Sequence, residues 1–123
     1  GTTFTNHYWT SPLDNADLLA NNCSRCHKDL ASEVESIQAA YWERVDTDAE
    51  QLKALNDDLT AAINAGTISG DALEDCRMAL RSAQWYWDFV FVENSNGVHN
   101  PTLTKHCLDQ AEVFMNQASD LMQ

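Results

Sequence analysis

Two thiols and an imidazole stand together in Cys23-Ser24-Arg25-Cys26-His27, the pattern C-x-x-C-H. Thiols three residues apart reach the two vinyl groups on one edge of a porphyrin, and the histidine that follows turns its ring onto the iron. The spacing predicts one covalently attached haem c, held by Cys23 and Cys26, with His27 as proximal ligand. The competing chemistries for such a pair are a disulfide and half of a zinc site. Structural zinc takes four ligands, usually as two separated pairs, whereas the remaining cysteines, Cys76 and Cys107, stand alone. A redox-active C-x-x-C belongs in a βαβ setting, and no stretch of this chain alternates with period two.

Iron bound by His27 needs a sixth ligand or an open site. The histidine candidates are His7, His99 and His106, and the thioether candidates are Met78, Met115 and Met122. A second imidazole gives a six-coordinate iron of low potential suited to electron transfer, a thioether raises the potential, and an open position admits ligands or catalysis. A lone histidine is more often a satisfied surface residue. A haem in need of a partner shifts the expectation toward bis-histidine iron.

The elements that must position these groups are helical. The opening stretch, with Phe4, His7, Tyr8 and Trp9, lacks a helical period, and Ser11-Pro12 reads as a turn or helix start. A short helix is expected from Leu13 to Ala20. From about Leu30, the residues Val34, Ile37, Tyr41, Val45, Leu52, Leu55, Leu59 and Ala62 form a one-sided apolar stripe. Residues 45–48 offer one point where this helix could break, with Asp46 or Thr47 as the cap of a fresh helix. Gly66 ends this segment. A second stripe carries Leu73, Cys76, Leu80, Ala83, Trp87 and Val90, and Asn94-Ser95-Asn96-Gly97 interrupts it. Asn100-Pro101 supplies an N-cap and a first helical residue for the last helix, with Leu103, Cys107, Ala111, Phe114, Ala118 and Leu121. The expected fold is all-α: a long-helix antiparallel bundle with an N-terminal haem-binding segment. It reads as one domain over residues 1–123, with the haem segment at 1–30 and helices at 31–65, 71–93 and 101–122. The stripes are expected to be helix–helix core, and Trp85 and Trp87 to be core or interface anchors, with a place beside the porphyrin as the alternative.

Composition narrows the function classes. The chain has 123 residues, a formal net charge of −12 and 44% hydrophobic residues. That charge excludes a nucleic-acid or anionic-membrane surface and favours basic partners. No stretch has the apolar length of a membrane span. Haem attachment at C-x-x-C-H occurs outside the cytoplasm, so a periplasmic or extracellular location is expected, with Gly1 a processed N-terminus or an artificial boundary.

Beyond the haem motif, Ala83-Gln84-Trp85-Tyr86-Trp87-Asp88-Phe89-Val90, then Glu93-Asn94-Ser95 and Gly97-Val98-His99-Asn100-Pro101, resemble the C-terminal part of the pentahaem ammonia-forming cytochrome c nitrite reductases. The opening Thr5-Asn6-His7-Tyr8-Trp9-Thr10-Ser11-Pro12-Leu13 resembles the segment before that family's last haem motif. The resemblance covers nearly all of this chain but only about the last quarter of the family's. It is specific from Trp85 to Pro101 and rests elsewhere on order and spacing. It implies that Cys23, Cys26 and His27 match the family's last haem site, and that His7 and His99 match distal ligands to other haems of the longer polypeptide. The lysine-ligated catalytic haem and the residues over nitrite lie upstream of the matching region. The resemblance therefore argues against nitrite reduction by this chain alone, and no catalytic residue is assigned.

His7 and His99 thus keep ligand-like positions without a second haem motif in the chain. One of them can fold back onto the local haem, either can ligate a neighbouring subunit's haem, or the chain can be one part of a larger haem complex. The expectation is a monohaem electron carrier in a homo-oligomer or haem chain, partnered by redox proteins such as other cytochromes. The alternative is an accessory or split subunit of a multihaem nitrite- or hydroxylamine-converting enzyme. Cys76 and Cys107 fall outside the family pattern. In a hairpin turning near Gly97, Cys107 lies opposite Trp87 with Cys76 about 17 Å further along, so an intrachain bridge is awkward. An intersubunit bridge and a pair of buried free thiols both remain open.

Overall fold

The computed structural model describes residues 11–123. A short 3-10 turn, Pro12–Asp14, opens them, with Ser11 Oγ accepting from the Leu13 amide at 3.2 Å. Helix α1 spans Ala16–Asn21, a second 3-10 turn spans Cys23–Arg25, and three long helices follow: α2 Leu30–Ala65, α3 Gly70–Phe91 and α4 Pro101–Leu121. No strand occurs among the described residues, and the architecture is all-α. No helix among them is long and apolar enough to cross a membrane. The chain divides into two compact units, residues 1–36 and 37–123.

The larger unit is built on the α3–α4 hairpin. Cys76 near the start of α3 meets the Ala118 carbonyl near the end of α4, which fixes the antiparallel sense. Small residues on the facing stripes, Ala79, Ala83, Ala111 and Ala118, are fully or almost fully buried, so the two backbones approach closely. Leu52, Leu55 and Leu59 of α2 complete this core with Cys76, Leu80 and Met115. A second cluster joins Tyr41 and Val45 of α2 to Val90, Cys107 and Leu108. The apolar stripes expected on all three helices are therefore the core, apart from their margins, where Ile37 and Leu103 are exposed.

Helix ends follow their local chemistry. Gly66, at φ +70°, closes α2 with its amide on the Ile63 carbonyl and the Thr67 amide on the Ala62 carbonyl, a Schellman-type end that needs a left-handed residue. Asn100 Oδ1 accepts from the Leu103 amide at 3.0 Å, and Pro101 takes the first position of α4. The helix expected over residues 31–65 is a single one, with no break at residues 45–48: α2 runs unbroken for 36 residues, about 54 Å at 1.5 Å per residue. Thr47, instead of capping a new helix, donates its hydroxyl to the Glu43 carbonyl at 2.7 Å. That i−4 bond satisfies a mid-helix threonine without ending the helix. Tertiary contacts hold the same stretch from outside. The Tyr41 hydroxyl donates to the Val90 carbonyl, Trp87 Nε1 donates to the Val45 carbonyl, and Arg44 pairs with Asp109 and Glu112 on α4.

Candidate haem-binding site

The C-x-x-C-H segment is a single tight turn. Asn15 Oδ1 caps α1 by accepting from the Leu18 amide, and the Asn22 amide closes that helix on the Leu18 carbonyl. The chain then turns at once. The Cys23 carbonyl accepts from both the Cys26 amide at 3.1 Å and the His27 amide at 3.0 Å. One carbonyl therefore gathers the second cysteine and the histidine around the first. Ser24, one of the two spacer residues, ties the turn back to α1 by donating its hydroxyl to the Ala20 carbonyl.

Cys23 is half-buried, whereas Cys26 and His27 are exposed, and both thiols are free. Among the described residues no group of three or more His, Cys, Asp or Glu could hold a metal ion. The donor set is thus two thiols and one imidazole on one turn, which falls short of the four ligands of structural zinc. It fits a macrocycle that brings its own four nitrogens and asks the protein for two thioethers and an axial imidazole.

The His27 ring is oriented by a residue that spacing did not single out. His27 Nδ1 lies 3.0 Å from Glu33 Oε2. A carboxylate only accepts, so Nδ1 carries the hydrogen and a neutral ring keeps its lone pair on Nε2. Glu33 sits in the first turn of α2, which Asp29 starts by accepting from the Ser32 amide on Oδ1 and from the Glu33 amide on its carbonyl. The only sequence signal was an acidic residue in the first turn after the motif.

The other histidines fall differently. His7 lies outside the described residues. His106 is exposed on α4. His99 is presented on an ordered loop between α3 and α4, its side chain 80% exposed, with Nδ1 3.5 Å from Glu93 Oε1. Glu93 organises that loop, accepting from the Ser95 amide, the Ser95 hydroxyl and the Gly97 amide. Partial burial alone would raise the Glu93 pKa; these hydrogen bonds and the nearby His99 outweigh it and hold the carboxyl below its ordinary value. Gln38 binds the Ser95 carbonyl, and the His99 amide donates to Ser95 Oγ at 2.8 Å. The Glu93-Asn94-Ser95 and Gly97-to-Pro101 segments are therefore one hydrogen-bonded device that carries an outward imidazole.

Of the thioethers, Met115 is fully buried in the core, which removes it as an iron ligand; Met78 is exposed on α3, and Met122 packs beside the core. Trp87 is a core anchor, with its indole N–H on Val45. Trp85 is 61% exposed and stacks on Phe89 at a centroid distance of 6.1 Å. Cys76 and Cys107 are buried free thiols in different core clusters.

Known proteins similar to this chain are cytochromes. The cytochrome c nitrite reductase subunit NrfA of Nitratidesulfovibrio vulgaris is 29% identical over 94% of this chain and 23% of its own length. Cytochrome c-552 of Haemophilus ducreyi is 27% identical over 88% of this chain and 22% of its own. Cytochrome c-552 of Aliarcobacter butzleri is 29% identical over 90% of this chain and 22% of its own. The chain thus spans between a fifth and a quarter of these relatives' length. No solved structure matches it. The cytochrome c552 family model matches residues 1–123 from end to end, so the chain belongs to the cytochrome c552 family, whose members bind haem c covalently.

Proposed function

We propose that the chain carries one haem c, joined to Cys23 and Cys26, with His27 as proximal ligand and a second histidine on the opposite face of the iron. In this reading it transfers electrons outside the cytoplasm, within a homo-oligomer or a chain of haems. The observation that carries it is the single turn at Cys23–His27 with the His27 Nδ1 hydrogen committed to Glu33. Haem iron between two imidazoles supplies low-potential one-electron chemistry. The chain's own residues orient and present: the Cys23 carbonyl sets the turn, Glu33 sets the ring, and the Glu93 loop holds His99 outward. An exposed imidazole on an ordered loop suits ligation of a neighbouring subunit's haem, and His7 and His106 are the other distal candidates. The net charge of −12 favours redox partners, such as other cytochromes, that dock through basic surfaces.

A second reading is favoured by the relatives' length and by the name of one of them, a nitrite reductase subunit. In that reading the chain is an accessory or split part of a multihaem enzyme that converts nitrite or hydroxylamine, and reduction itself takes place on partner chains. Visible spectroscopy separates the two. Low-spin bands unchanged by cyanide or carbon monoxide are expected for the electron carrier, with loss of covalent haem in Cys23→Ala and Cys26→Ala. A high-spin, ligand-reactive haem that consumes nitrite with a reduced viologen would reject it in favour of the enzyme component. Dilution-dependent mass tests the oligomer.

A further inference from the structure

We infer that Glu33 is a positioning residue for the iron-bound imidazole: its carboxylate fixes the His27 ring and increases its electron donation, which lowers the reduction potential of the haem that His27 ligates. The inference rests on the haem ligation proposed above.

The geometry is local and directional. His27 Nδ1 and Glu33 Oε2 are 3.0 Å apart, and the two side chains are 50% and 53% exposed. A pair so open to water contributes little to fold stability. Its effect lies in what it does to the ring. An anionic acceptor on Nδ1–H fixes the ring's tautomer and orientation and makes the ligating Nε2 more basic. A stronger imidazole donor beside a negative charge favours ferric over ferrous iron, so the potential falls.

Glu33 is held for this task by the backbone around it. Asp29 stands between the motif and α2 and accepts from the Ser32 amide at 3.3 Å and the Glu33 amide at 3.1 Å. The first turn of α2 is therefore fixed two residues beyond His27. Glu35 offers an internal comparison: it is an exposed carboxylate of the same helix and makes no hydrogen bond to His27.

The test uses the haem-loaded chain with Glu33→Gln, Glu33→Ala and Glu35→Gln. Haem content is read as the pyridine haemochromogen, midpoint potential by spectroelectrochemistry, and the iron environment by low-temperature EPR. The expected result is full haem content in all three. The potential rises in Glu33→Gln, which keeps only a neutral acceptor, and rises further in Glu33→Ala, with a broadened low-spin EPR signal. Glu35→Gln stays near wild type. Loaded Glu33 variants whose potentials match that of Glu35→Gln would overturn the inference alone. A wild-type chain with no covalent haem at Cys23 and Cys26 would overturn the ligation reading, and the inference with it.

Discussion

The Trp87 indole N–H donates to the Val45 carbonyl at 2.9 Å, joining α3 to α2 near the middle of that helix. The indole also stacks on Phe91 at a centroid distance of 4.8 Å and an interplanar angle of 15°. Trp87→Phe keeps the stack and loses the donor. It should lower the unfolding free energy by about 1–2 kcal/mol, the value of one hydrogen bond plus a modest packing loss. Urea denaturation followed by helical circular dichroism measures this, and an unchanged midpoint would contradict the assigned bond.

Asp48 is 2% exposed and its Oδ2 has no hydrogen-bond partner. Burial first, then the charge of Glu112, raise its pKa from 3.8 to about 6, with Arg44 pulling the other way. The unfolded chain releases this proton near pH 4 and the folded chain near pH 6. Between those values the folded state holds the extra proton, so Asp48 makes stability fall as pH rises from about 4 to about 6, after which its effect is constant. Asp48→Asn should stabilise the protein by about 2 kcal/mol at pH 7 and flatten that slope. Denaturation midpoints at four pH values between 4 and 7 give the comparison; parallel curves for the two proteins would refute it.

Gly97 has φ +85°, and a Cβ added there would stand 3.0 Å from Tyr41 Cδ2. Tyr41 is anchored through its hydroxyl to Val90 and cannot move away freely. Gly97→Ala therefore combines left-handed strain with a clash and should cost about 1–3 kcal/mol. Amide hydrogen exchange around Ser95 and His99 should accelerate in the variant, and unaltered protection would count against the contact.

Burial raises the thiol pKa of both Cys76 and Cys107. Cys76 Sγ also rests 3.7 Å from the Ala118 carbonyl in the core. Neither thiol should alkylate with iodoacetamide at pH 8 until the chain unfolds, because the thiolate is the reacting form. Intact mass should be the same with and without reductant; a change on reduction would reveal a bridge that the structure lacks.

Several elements were legible in the sequence because their causes are local. Gly66 ends α2 and Asn100-Pro101 starts α4 through groups within a few residues of each end. The turn at Cys23–His27 has an equally local cause, since one carbonyl builds it. Residues 45–48 left a break open because Asp46 and Thr47 are good caps in isolation. Contacts from Val90, Trp87 and Asp109, more than forty residues away in sequence, support α2 through that point. Glu33 was missed because spacing alone does not say that a carboxylate six residues on will return to His27. The resemblance pointed to His99, but the reason its loop is ordered is the Glu93 carboxylate, visible only once three donors converge on it.

That convergence has a consequence for timing. A flexible segment gives up about 1–2 kcal/mol of backbone entropy for each residue it must immobilise on contact. The loop from Glu93 to Asn100 makes that sacrifice when the protein folds, not when His99 meets something outside. If His99 ligates a neighbouring haem as proposed, that haem meets a preset hook, and the advantage should appear as slow release more than as fast capture.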